Sequence, residues 1–197
     1  HRTLCLALAL AATGQFSKLK RVYEAARALG ADLSALREGA LMTHLFGGFP
    51  RAIEAFRVLH EVCSGPGALP PEAPSHPPRD RLSTGRGVFE RIYDEKAPSV
   101  LATLKSYSPT FEEAVLEDAY GRVLARPALD LATRERMAVC ALTAQRLPRQ
   151  LRSHMEGALR CGVSREELAE TIELAEIAAE KEAVQDARSL LASCGSQ

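Results

Sequence analysis

The stretch from Thr133 to Glu170, TRERMAVCALTAQRLPRQLRSHMEGALRCGVSREELAE, decides the fold. It is built from residues that favour helix, is interrupted once at Leu147 to Arg149, and ends in two boundary signals. Gly162 suits the left-handed position that closes a helix. Ser164 followed by Glu167 forms a capping box in which hydroxyl and carboxylate satisfy each other's backbone donors, so a long helix is expected from Arg165 to Leu191. The segment therefore reads as helix, break, helix, glycine stop and long helix.

Working outward, the same order recurs near the amino terminus. At a constant offset of 132, Arg2 falls on Arg134, Ala9 on Ala141, Leu19 on Leu151, Glu24 on Glu156, Gly30 on Gly162, Glu38 on Glu170 and Leu59 on Leu191. About a dozen identities accumulate over roughly 65 positions, twice what an Ala/Leu-rich chain would give by chance, which marks an internal repeat. The repeat also absorbs Leu4 to Ala12, which has the length of a signal-peptide core, into a mature helix. Thr110 with Glu113 suggests another capping box, opening a helix that stops before Pro127, and a further helix begins near Thr133.

Between the two copies, residues 65–87 are rich in proline and glycine and read as an extended linker. The expected organisation is a first, degenerate helical unit over 1–64, the linker over 65–87, and a second unit with its preceding helices over 88–197. Few β-branched or aromatic residues are present, so the fold class is all-α.

Composition narrows the function. Lys plus Arg and Asp plus Glu are 25 each, and aromatic residues are 5% with no tryptophan. No global field or aromatic basic surface is available to recruit nucleic acid, and no run approaches the about 20 apolar residues a membrane span needs. The five cysteines, Cys5, Cys63, Cys140, Cys161 and Cys194, have no C-x-x-C spacing, which suits reduced thiols and a cytoplasmic setting. The histidines are scattered without metal-ligand spacing, so no metal or other cofactor is expected.

The titratable groups concentrate in the second copy. Glu135 stands near the start of one helix and His154 near the start of the next, and antiparallel packing would let them face one another. A carboxylate paired with an imidazole fixes its tautomer and raises its basicity, giving an acid or base near neutral pH. Arg134, Arg149 and Arg152 lie nearby, where a guanidinium could hold a carboxylate substrate. Read from spacing alone, such a His and Glu are more often a surface or packing pair than a catalytic one.

With GRVLARPALDLATRE ahead of it, this segment resembles the carboxymuconolactone decarboxylase family, whose pattern runs through R-P-G-L-D, T-R-E, Q-L-x-S-H and G-A-L before a helix-stopping glycine. The similarity extends from about Gly85 to the end of the chain, and LREGALMTHLFGGFPRAIEAF in the first copy fits more loosely, with a Gly-x-Pro kink. The resemblance implies an all-α fold related to alkylhydroperoxidase D and ring-like homo-oligomers, often trimers or hexamers. It also implies cofactor-independent chemistry on a small carboxylated lactone, with His154 carrying the proton, Glu135 orienting it, and Arg134 or Arg149 holding the carboxylate. RPALD lacks the usual glycine, and HMEGALRCG lacks an asparagine pair, so the substrate does not carry over.

A peroxidase, peroxiredoxin-like branch of the superfamily needs a C-x-x-C at the positions that are Leu147 and Gln150 here. Cys140 lies mid-helix among apolar residues, where a thiol is usually inert. A non-catalytic oligomeric scaffold is the third reading. In the first copy Thr3 and Val22 stand where Glu135 and His154 would be, which implies one site per chain. His44, Phe46 and Phe49 could wall that site, although core packing is the favoured reading of all three.

Overall fold

The computed structural model describes residues 1–64, 69–72 and 76–194. The described residues contain helices and connections and no strand. Helix α1 (Arg2–Ala12) is followed by α2 (Phe16–Ala28) and α3 (Leu33–Val62), the last kinked at Gly48, where φ is +77°. Helix α4 (Pro78–Tyr93) leads through a short 3₁₀ turn to α5 (Ala97–Tyr107) and α6 (Pro109–Ala114), which runs into a π-helix at Val115–Leu124. Then come α7 (Leu131–Gln145), α8 (Pro148–Arg160), α9 (Arg165–Leu174), a 3₁₀ turn at Ala175–Ile177, and α10 (Lys181–Ser193).

The helix bounds repeat at the offset found in the sequence. Phe16–Ala28 and Pro148–Arg160 differ by 132 at both ends, and Leu33 and Arg165 open the third helix of each set. Gly30 and Gly162 are both left-handed stops, with φ +71° and +89°. One position is solved differently: the second residue after α1 is the left-handed Gly14, and its counterpart Arg146 takes the same conformation at φ +55° despite its side chain.

Helices α1 and α7 lie at the centre. From Leu4 to Ala12 all residues of α1 except Leu6 are buried, as expected for a helix apolar on every face. Helix α1 packs on α2, α3 and α7, while α7 packs on α8 and α9, so a single hydrophobic core runs through both repeats. Two amides stitch the halves together: Gln145 donates to the Phe46 carbonyl and Gln15 donates to the Ala178 carbonyl, each at 2.6 Å. Phe46 and Ala178 are themselves one repeat apart.

Three sequence expectations are corrected. The expected linker over 65–87 ends earlier, because α4 begins at Pro78; proline is tolerated in a first helical turn, where its missing N–H has no intrahelical partner. Its 65–68 and 73–75 portions lie outside the described residues. Gly85 does not break α4, since it lets the helix press against the π-helix: a Cβ there would fall 1.9 Å from the Leu116 carbonyl oxygen. The expected continuous helix from Arg165 to Leu191 is interrupted before Lys181, at the point corresponding to the Gly48 kink, with Glu180 extended at the start of α10. The cap ahead of α6 is Ser108, whose hydroxyl accepts from the Phe111 N–H, rather than Thr110.

Candidate active site

Glu135 and His154 face each other across the α7–α8 hairpin. Asp130 caps α7 by accepting from the Thr133 N–H at 2.6 Å, which sets Glu135 in the second turn. The left-handed residue Arg146 then reverses the chain into α8, bringing His154 back onto α7. The His154 Nδ1 lies 2.9 Å from Glu135 Oε2. Gly157, three residues after His154, makes room for this approach: a Cβ there would come within 2.8 Å of the same Glu135 oxygen.

The carboxylate is fully buried, whereas the His154 side chain retains 15% of its exposure. Among the described residues the imidazole's hydrogen bond is the one to Glu135, which leaves Nε2 as the ring's reactive edge. Burial works against the charged ring, but the charge of Glu135 and its hydrogen bond outweigh it and hold His154 above its ordinary value. The second oxygen of Glu135 is buried with no hydrogen-bond partner among the described residues.

Of the residues around the pair, the sequence singled out Phe46, with core packing as its favoured reading, but neither Tyr93 nor Tyr120. Phe46, beside the α3 kink, stands edge-on to His154 with ring centroids 5.8 Å apart. Tyr93 on α4 and Tyr120 on the π-helix place their hydroxyls 3.4 Å apart, with Phe89 packed against both rings. Burial raises both tyrosine pKa values, and the negative charge of Glu135 adds to each. No spacing rule flags Tyr120, because the π-turn that aims it has no sequence signature of its own.

The other expected site residues are dispersed. Arg134 is fully buried and bound to Glu38 at 2.9 Å and to the Arg126 carbonyl, so it cannot reach a substrate; as a substrate-binding residue it is corrected to a structural one. Arg149 is exposed in the first turn of α8, about 140° around the helix from His154. Arg152 donates to the Ser193 hydroxyl. Cys140 is buried, and desolvation pushes its thiol well above the ordinary range. Leu147 and Gln150, the would-be thiol positions, are exposed at the start of α8. The expectation that Phe49 is core is also corrected: it is 67% exposed and stacks on His44.

Among the described residues no group of three or more His, Cys, Asp or Glu side chains could hold a metal ion. None of the described helices is long and apolar enough to cross a membrane.

The chain is also similar in sequence to known proteins. Peroxisomal protein 2 of Schizosaccharomyces pombe is 30% identical over 140 residues, which cover 68% of this chain and 63% of that protein. The family model described as "Carboxymuconolactone decarboxylase family" matches residues 109–193, the span holding Glu135, His154 and Tyr120. Over that span, residues 109–193, the chain is similar to the carboxymuconolactone decarboxylase family.

Proposed function

We propose that the protein is a cofactor-independent decarboxylase-like enzyme that acts on a small carboxylated, unsaturated lactone or a related acid. The observation that carries this reading is the pair at 2.9 Å, a buried Glu135 holding Nδ1 of His154 while Nε2 stays unbonded. Loss of carbon dioxide breaks the bond to the carboxylate carbon and sends its electron pair into the conjugated carbonyl, forming a dienolate. The imidazolium of His154 delivers a proton to carbon from Nε2 and regains one from solvent. A ring whose proton affinity is raised by the Glu135 carboxylate suits that role. Arg134 is committed to Glu38 and Arg149 stands about 140° around α8 from His154, so the substrate carboxylate is assigned to neither guanidinium.

The experiment is an assay for carbon dioxide release from carboxymuconolactone-type acids by the wild type and by His154→Ala, Glu135→Gln and Cys140→Ser. Activity lost in the first, reduced in the second and unchanged in the third supports the reading. Equal activity in wild type and His154→Ala leaves the non-catalytic scaffold instead. Disulfide-based peroxidase chemistry is disfavoured by Leu147, Gln150 and the buried Cys140. We also propose that the chain self-associates into a ring-like homo-oligomer, such as a trimer, so that two unequal units per chain approximate a ring of twice as many. The free thiols suit a reducing interior such as the cytoplasm, and imaging of a tagged chain against a peroxisomal marker separates that from the compartment named in the relative.

A further inference from the structure

The two units differ on their surfaces as well as at the active pair, and the differences are complementary. Beyond the Gly48 kink, α3 presents Phe49, Ile53 and Phe56, spaced four and three residues apart so that they share one face. Phe49 is 67% exposed and Ile53 63% exposed, which is unusual for large apolar side chains placed next to each other. One repeat later the same positions on α10 are Lys181, Gln185 and Arg188, all exposed. The first unit thus carries an apolar ridge that the second lacks.

The second unit carries a hollow. A cleft of about 480 Å³ opens between the start of α8 and α10, floored by Leu147, Leu151, Ala183, Ala187 and Leu190. Its size falls in the range of sites that take up an apolar group. The first-unit counterparts of Pro148 and Ala183 are Phe16 and Arg51, whose side chains close over Gly14 at 4.0 and 3.8 Å from the position a Cβ would occupy there. Two large residues in the first unit become two small ones in the second, and the space between them is the cleft. Leu147 at its lip is 42% exposed.

We propose that copies of this chain associate head to tail, with the Phe49, Ile53 and Phe56 ridge of one copy seated in the Leu147, Leu151 and Leu190 cleft of the next; this rests on the self-association proposed above. A twofold pairing of ridge on ridge would leave the cleft open, and cleft on cleft would leave the ridge in water. Head-to-tail contact buries both with one interface repeated, and such an interface grows until the ring closes. The unequal surfaces of the two units thereby give every copy one donor face and one acceptor face.

The test is the solution mass of the full chain, measured by sedimentation at micromolar concentration, with circular dichroism to confirm that each variant is folded. The ridge variant is Phe49→Glu with Ile53→Lys. The cleft variant is Pro148→Phe with Ala183→Arg, which restores the first unit's residues, and Leu147→Glu at an exposed position is a second cleft variant that does not disturb the core. The wild type is expected to be oligomeric and each variant monomeric. An equimolar mixture of ridge and cleft variants should form a dimer and stop, because one intact ridge then meets one intact cleft. A folded cleft variant that keeps the wild-type mass, or a mixture that stays monomeric, overturns the head-to-tail assignment while self-association stands. A monomeric wild type overturns both.

Discussion

The carboxylate of Glu38, carried by the first unit, lies 2.9 Å from the guanidinium of Arg134 in the second, and Arg126 closes on the same carboxylate at 2.9 and 3.0 Å. One repeat away, Arg2 of the first unit and Glu170 of the second form the same pair with the partners exchanged, 3.6 Å apart and exposed. Reciprocal pairs of this kind follow from an approximate twofold relation between the units. Their settings predict different consequences. Glu38→Gln leaves two buried guanidinium groups without their shared counter-charge and should cost about 3–5 kcal/mol of stability. Glu170→Gln should leave the urea midpoint unchanged, because an exposed pair is screened by water and salt. Equal losses at the two sites would refute this account of the core.

Gly85 and Gly121 lie where α4 crosses the π-helix. A Cβ at Gly85 would lie 1.9 Å from the Leu116 oxygen, and one at Gly121 would lie 2.1 Å from the Arg81 oxygen; in both cases the obstacle is backbone that cannot swing aside. Alanine at either position should lower the melting temperature markedly, with a cost of about 1–3 kcal/mol or more. Gly87, two residues along α4, meets nothing within 4 Å of its Cβ position. Gly87→Ala should be neutral or stabilising by up to about 1 kcal/mol, since alanine is the better helix former. Thermal unfolding of the three variants side by side checks the contrast.

These glycines also show where sequence reading stops. A glycine in a Pro/Gly-rich stretch suggests a break in the chain, and only the partner helix reveals that Gly85 is a contact surface. The repeat was legible because capping chemistry and left-handed stops are local: Ser164 with Glu167, and Gly162, act through atoms a few residues apart. The approach of Glu135 to His154 was legible for a similar reason, since one short turn fixes the hairpin. Arg134 was misread because its partner, Glu38, is 96 positions away. Tyr93 and Tyr120 reach the site from two separate elements, and no spacing within either points to the other.

His154 links the site to pH. Burial disfavours its charged form, but Glu135 more than compensates, so its pKa lies higher in the folded chain than in the unfolded one. Between those two values the folded state holds a proton that the unfolded state has released. The stabilisation is therefore complete below the unfolded histidine value of about 6.5 and declines as pH rises through the folded value. Glu135→Gln removes the charge, and the His154 resonance in an NMR titration should move to lower pH. The decline in urea midpoint above the unfolded value of about 6.5 should flatten in the same variant. A His154 titration unmoved by this substitution would show that Glu135 does not set its protonation.

Thiol chemistry offers an independent check on the decarboxylase reading. Desolvation raises every cysteine pKa, with Cys5 pushed up to about 11 and Cys140 well above the ordinary range, so all five thiols stay protonated near neutrality. The thiolate is the nucleophile, and a buried protonated thiol is slow towards both peroxide and alkylating agents. Cys161 is the one cysteine that is partly exposed rather than buried. Iodoacetamide under native conditions should label Cys161 first, read by mass spectrometry of peptides. The remaining four should react at the rate of unfolding. Hydrogen peroxide should be consumed no faster by the wild type than by Cys140→Ser, and rapid native labelling of Cys140 with faster peroxide loss in the wild type would restore the peroxidase reading.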